Sequence, residues 1–168
     1  EAGINVANYK NLYFYANSAR DSTRFTILYD PDNVFQLNLF GEISLNSTER
    51  FRSSLRGDFF TYSVENLAEP WHRPNLTLSW LNSLNLYEKI LLNAELQLMS
   101  GVQGLNLASG TTRQLDPIAD LHFQADYLFS NRFSAFVKVR NIFAQNYERF
   151  MNYPSRGIMF LGGITYSF

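Results

Sequence analysis

His122 is the residue best placed to do chemistry, with Asp120 and Asp126 at alternate positions around it. Imidazole and carboxylates in such a run could ligate a divalent metal. Side chains two apart on a strand splay rather than converge, however. The favoured reading is a polar wall in which these groups pair across strands with Lys138 and Arg140. His72 stands beside Trp71 in a connecting segment, where loop packing or solvent is the expected surrounding. A hydrolase or acyltransferase would need a histidine against a serine on a neighbouring strand. Ser54, Ser79 and Ser134 are available, but no spacing singles one out. The chain has no cysteine, which removes disulfides and thiolate metal sites. Neither enzyme activity nor a cofactor or metal is expected.

The elements that must position these residues follow from composition. The 168 residues are 46% hydrophobic and 16% aromatic but only 17% charged, with a net charge of −1. Mean hydropathy is nevertheless −0.19. Disorder is excluded by the aromatic load, and the charge balance argues against nucleic acid or a polybasic membrane surface. No apolar run reaches the roughly 18 residues of a membrane helix. The opening Glu1-Ala2-Gly3-Ile4 lacks the basic region of a signal peptide, which suggests a mature product or a piece of something longer.

Alternation of apolar and polar residues accounts for the mismatch. Leu121, Phe123, Ala125 and Tyr127 oppose Asp120, His122, Gln124 and Asp126; Phe133, Ala135, Val137 and Val139 oppose Ser134, Phe136, Lys138 and Arg140. The end repeats it with Phe160, Gly162, Ile164, Tyr166 and Phe168. Segments 35–46, 51–59, 76–80 and 92–98 alternate likewise, and Leu12, Phe14 and Ala16 form a weaker first frame. Eight strands result. Glu42, Arg52, Arg56, Asp58, Glu95, Asp120, Asp126, Lys138 and Arg140 all fall on polar faces, and none on an apolar one. A strand face without charge meets a dry core or lipid.

Short links near Ser47–Glu49, Asn85–Glu88 and Ser130–Asn131 alternate with long ones near Ser18–Asn33, Val64–Arg73, Gly101–Pro117 and Ala144–Arg156. In an antiparallel meander this puts short turns at one end and long loops at the other, as in outer-membrane barrels. Arg24 to Asp30 could add a hairpin arm ahead of an Asp30-Pro31-Asp32-Asn33 turn. Tyr127, Phe129, Phe133, Tyr166 and Phe168 gather at the short-turn end, as an interfacial girdle would. Tyr147, Phe150, Tyr153 and Trp71 lie in long loops, packing together or touching ligand.

The expected fold is therefore all-β: a transmembrane antiparallel barrel of about eight strands, with residues 1–168 forming one barrel segment. Glu42, Arg52, Arg56, Asp58, Asp120, Asp126, Lys138 and Arg140 are expected to form a polar network lining the lumen. The terminal strand with Gly163, Tyr166 and Phe168 resembles the assembly signal that the barrel-insertion machinery reads by strand pairing.

The last fifty residues resemble the ending of TonB-dependent outer-membrane receptors, particularly of Bacteroidetes type. Asn141-Ile142-Phe143, Asn146-Tyr147-Glu148, Tyr153-Pro154 and Arg156-Gly157 follow in that family's order, and Glu69-Pro70-Trp71-His72-Arg73-Pro74 is similar to it too. The resemblance implies the C-terminal part of a 22-stranded barrel, in the bacterial outer membrane, importing a metal chelate, vitamin or glycan. It implies as partners the membrane lipid, the assembly machinery, the remaining strands and a plug absent here, and TonB through N-terminal parts outside this chain. Two alternatives stand beside it. One is a complete eight-stranded membrane barrel serving as anchor, adhesin or narrow pore. The other is a soluble ligand-binding barrel, against which the loop sorting and charge-free faces speak.

Overall fold

The alternation carries straight into strand register. The computed structural model describes residues 1–48 and 50–168, with no helix among them. Twelve strands follow one another: β1 (Ala2–Asn17), β2 (Phe25–Thr48), β3 (Phe51–Ser63), β4 (Leu76–Leu86), β5 (Ile90–Ser100), β6 (Gln103–Asn106), β7 (Thr111–Gln114), β8 (Ile118–Ser130), β9 (Phe133–Arg140), β10 (Glu148–Phe150), β11 (Tyr153–Pro154) and β12 (Met159–Tyr166). Ten form one sheet, ordered β12-β9-β8-β5-β4-β3-β2-β1-β6-β7, and β10 pairs with β11. The eight alternating segments make up an antiparallel meander, β1-β2-β3-β4-β5-β8-β9-β12, each strand bonded to the next.

The frames chosen strand by strand join into continuous faces. One row across five strands reads Ile43, Leu55, Trp80, Leu96, Leu121; the row beside it reads Glu42, Arg56, Ser79, Gln97, Asp120. Because paired residues point to the same side of a sheet, the first row belongs to the apolar face and the second to the polar one. The chain leaves its apolar face uncovered: Ile43 is 65% exposed, Val137 57% and Phe160 75%. A soluble barrel would turn those residues inward.

The meander does not close. Among the described residues, β12 bonds only to β9, and beyond β2 the edge of β1 meets only β6, through a parallel Asn17–Asn106 bridge. A complete eight-stranded barrel requires β1 beside β12, so the structure overturns that alternative.

Two further expectations need correction. The Arg24–Asp30 segment is not a separate arm, since Phe25 to Asp30 continue β2 against Leu12 to Asn17, and Asp30-Pro31-Asp32-Asn33 is not a turn but lies within β2. The register slips there between Lys10 and Leu12, as suits a proline without an N–H to offer the ladder. Asn11, across the slip, takes a left-handed φ of 54°. The slip reverses the fate of even-numbered residues in β1: Ile4 and Val6 are exposed, whereas Phe14 and Ala16 are fully buried. The long β5–β8 and β9–β12 links are not loops throughout, since they carry β6–β7 and β10–β11.

Short connections hold at the other end. Tyr87 and Glu88 both take positive φ in the β4–β5 turn, the geometry that matches strand twist in tight hairpins. Asn131-Arg132 joins β8 to β9. The link expected near Ser47–Glu49 falls partly on Glu49, outside the described residues.

The buried residues collect at the long-loop end. Phe14, Val34 and Trp71 form one cluster, with Leu12, Leu28, Val64, Leu67 and Leu105 against it. Val102, Leu115 and Met151 form a second.

Candidate functional site

Two assemblies carry the polar chemistry. The first lies on the polar face of β2 and β3. Cross-strand pairing puts Glu42 opposite Arg56 and Phe40 opposite Asp58. The Arg56 guanidinium forks onto Asp58 at 2.8 and 2.9 Å and reaches Glu42 at 3.4 Å. Its planar group also sits 4.7 Å above the Phe40 ring, a cation–π contact. Ser44 and Ser54 donate to the other Glu42 oxygen, and Asn38 donates to Asp58. One cation thus spans two carboxylates, with neutral donors on the spare lone pairs, and a fork holds orientation better than a point charge would.

The other residues expected in this network are spread along the face. Arg52 and Lys138 line a recess of about 440 Å³ with Glu95 and His122. Asp126 accepts two hydrogen bonds from Gln124. Arg140 is exposed at the end of β9. Asp120 lies nearer the loops, taking the Tyr147 hydroxyl at 2.5 Å and lying 3.3 Å from His122 Nδ1. Burial, then the bond to Asp120, pushes the Tyr147 phenol up to about 12. Asp126 does not join Asp120 and His122, and among the described residues no three metal-ligating side chains converge. At the chain end, Tyr166 and Phe168 meet edge to face at 5.5 Å, and Gly163 lies under the Phe136 ring.

The second assembly is a roof over the loop end. Its centre is Met151, whose N–H donates to His72 Nε2 at 3.2 Å and whose carbonyl accepts from Asn17 Nδ2 at 3.0 Å. His72 Nδ1 meets the Tyr15 carbonyl at 2.8 Å. Phe150 packs edge-on against Tyr15 and Phe25, and Tyr153 stacks on Phe25 at 4.6 Å. Trp71 is buried with Phe14 and Val34. Phe150, Tyr153 and Trp71 therefore pack against β1 and β2, while Tyr147 bonds Asp120 instead. Burial holds the His72 imidazole below its ordinary value, with the Tyr15 carbonyl opposing.

Asp30 fastens a neighbouring corner. Fully buried, it accepts the Glu65 and Asn66 amides and the Asn66 side chain at 3.0, 3.1 and 2.7 Å. Burial works to raise its carboxyl, but these donors hold it below the usual value.

Beside His72, a recess of about 200 Å³ is lined by Tyr13, Tyr15, Trp71, Arg73, Arg149 and Phe150. Two guanidiniums and aromatic walls, without a carboxylate among those linings, suit an anionic or aromatic group. Arg149 and Asn17 were not marked by sequence reasoning, and Asp30 was marked only as a turn residue.

No protein-family model matches the chain, and no curated protein matches it in sequence. Among solved structures, the pyoverdine outer membrane receptor FpvA from Pseudomonas aeruginosa PAO1, solved bound to pyoverdine, superimposes with a TM-score of 0.70 at 15% identity. The match covers 98% of this chain and 26% of the receptor, so the chain spans about a quarter of that protein's length. The likeness is one of fold: these residues build a wall of the kind found in an outer membrane receptor.

Proposed function

We propose that the chain is the C-terminal part of the barrel of a TonB-dependent outer-membrane receptor, importing a scarce nutrient such as a metal chelate, a vitamin or a glycan. The unclosed eight-strand meander carries this reading, since nearly all of it superimposes on a fraction of an outer membrane receptor. The uncovered apolar face meets lipid, and the polar face with Glu42, Arg56 and Asp58 lines the lumen against a plug. Two bare strand edges in hydrocarbon would leave backbone groups unsatisfied, so strands from elsewhere in the receptor bond to β1 and β12. TonB engages a part outside these residues. Gly163, Tyr166 and Phe168 serve delivery to the assembly machinery, and the motif order from Asn141 to Gly157 favours a Bacteroidetes-type receptor. The recess beside Arg73 and Arg149 contributes to ligand capture, and no catalytic step is involved.

Membrane fractionation of cells making the complete receptor tests this, together with heat-modifiable gel mobility. Recovery in the soluble fraction without detergent sinks the barrel reading. Accumulation of labelled ferric chelate, cobalamin or oligosaccharide, compared with and without a working TonB system, tests transport. Uptake of all three unchanged by loss of the receptor sinks that part.

A further inference from the structure

We propose that His72 is a protonation-controlled latch, fastening the β9–β12 connection across the loop end while its ring is neutral and releasing it when the ring is charged. The proposal is argued from the geometry and charge of the loop end, rests on the outer-membrane barrel reading, and is independent of what is transported.

The hydrogen-bond partners dictate the tautomer. The Tyr15 carbonyl can only accept, so Nδ1 carries the proton; the Met151 amide can only donate, so Nε2 presents its lone pair. A second proton on the ring must sit on Nε2, directly facing the Met151 N–H. Two donors then oppose each other, and one of the two bonds that hold Met151 is lost. The other, from Asn17 to the Met151 carbonyl, has no counterpart at the amide.

Segments from across the loop end meet at His72, so losing the bond matters beyond one residue. The end of β1 supplies Tyr15 and Asn17, and the β3–β4 connection supplies His72 itself. The start of β6 takes the His72 N–H on the Gln103 carbonyl at 2.8 Å. The β10–β11 turn supplies Met151. His72 is held there in a left-handed conformation, φ 58°, which a non-glycine residue adopts only when surroundings impose it. Gly104 leaves the space required: a methyl there would stand 2.9 Å from the Met151 Cβ and 3.3 Å from His72 Nε2.

The electrostatic surroundings keep the ring neutral. Arg73 from its own loop and Arg149 from β10 line the same recess, and both are cations. β1 contributes only the phenols of Tyr13 and Tyr15, β2 the uncharged Phe25, and β6 Gln103 and Gly104. Glu148 of β10 is held by Arg113 and by the Asn152 amide. Burial acts in the same direction as the two cations. A histidine with a lowered folded value lends its stability above the ordinary value of 6.5 and loses it as pH falls through the folded one. The latch is therefore closed at neutral pH and opens in acid.

These 168 residues hold no cysteine, so in a receptor whose remaining parts are also freed of cysteine, Met151→Cys, which keeps both backbone bonds, gives a single reporter at a site now 6% exposed. Outer-membrane vesicles holding the complete receptor are labelled with an impermeant maleimide at about pH 8 and about pH 5, bracketing the histidine range. Rates are divided by those of Ala108→Cys, an exposed loop position, to remove the thiol's own titration. The normalised rate should rise about tenfold in acid, the scale set by losing one buried hydrogen bond, and His72→Gln should abolish the rise. Hydrogen exchange at the Met151 amide in the unsubstituted protein, corrected for intrinsic pH dependence, should accelerate over the same range. A flat exchange profile overturns the latch, as does an acid-dependent rise that His72→Gln leaves intact.

Discussion

Gly163 lies opposite Phe136 in the β9–β12 ladder, so closely covered that a methyl on Gly163 would stand 2.7 Å from the phenyl ring. At the other end of the meander Gly3 pairs with Phe40 in the same way, again at 2.7 Å. Each terminal strand thus has a glycine roofed by a phenylalanine of its neighbour, a device that pins register where only one edge is paired. Gly163→Ala should displace the ring and destabilise the sheet by about 1–3 kcal/mol, as overpacking does. Phe136→Ala combined with it should recover part of that loss, and a double-mutant cycle by urea unfolding in liposomes reads the coupling. Strict additivity of the two changes would exclude the interlock.

Arg56 bridges two carboxylates, so its loss leaves like charges facing each other. Its side chain is 41% exposed, against 12% for Asp58 and 31% for Glu42. Screening therefore keeps the effect of Arg56→Met small, and it should shrink further as salt rises. Arg56→Lys should recover only part, because an ammonium cannot reproduce the fork. Asp58→Asn should destabilise more than Glu42→Gln, since Asp58 takes the paired bonds and is the more covered. Unfolding midpoints at low and high salt decide it.

Tyr147 offers a pH test. Its phenol is raised from 10.0 to about 12, so its contribution is intact below about pH 10 and is lost as pH climbs through about 12. Spectrophotometric titration should show one tyrosine ionising last, absent in Tyr147→Phe. The same substitution should speed amide exchange at Ala119, which donates to Gln145 on the same connection. An unchanged last-ionising tyrosine would contradict the assignment.

Asp30 predicts the opposite sign. Its carboxyl is held below 3.8, so the corner it fastens is secure above that value and loosens as acid protonates it. Asp30→Asn faces two backbone donors with an amide and should destabilise the β3–β4 connection by about 1–3 kcal/mol, the range for bonds to a charged acceptor. Faster exchange at Glu65 and Asn66 would register it.

How much of this was legible in the sequence depends on distance along the chain. Period two was readable because each hairpin partner is close by, so Ile43, Leu55, Trp80, Leu96 and Leu121 could each be framed locally and still meet in one row. Phe14 was framed correctly as apolar yet is buried under loops, because the slip at Lys10–Leu12 changes phase where no local pattern marks it. Pro31 signalled a turn, and in the fold it marks a break in a continuing strand. Strands β6 and β7 are four residues each and carry no alternation to detect. His72 was legible as loop packing, but its partners lie 57 and 79 residues away, and no spacing rule reaches so far.

Those separations fix an order of events. Most rungs of the meander join neighbouring strands and can zip as soon as the hairpin is made, and β5–β8 and β9–β12 close only the intervening β6–β7 and β10–β11 links, whereas the Asn17–Met151 bond spans 134 residues. Contacts of such high sequence separation form late, because the intervening chain must already be organised. The roof is therefore the last part of this wall to set, and its closure reports that strands β1 through β9 have already found their places.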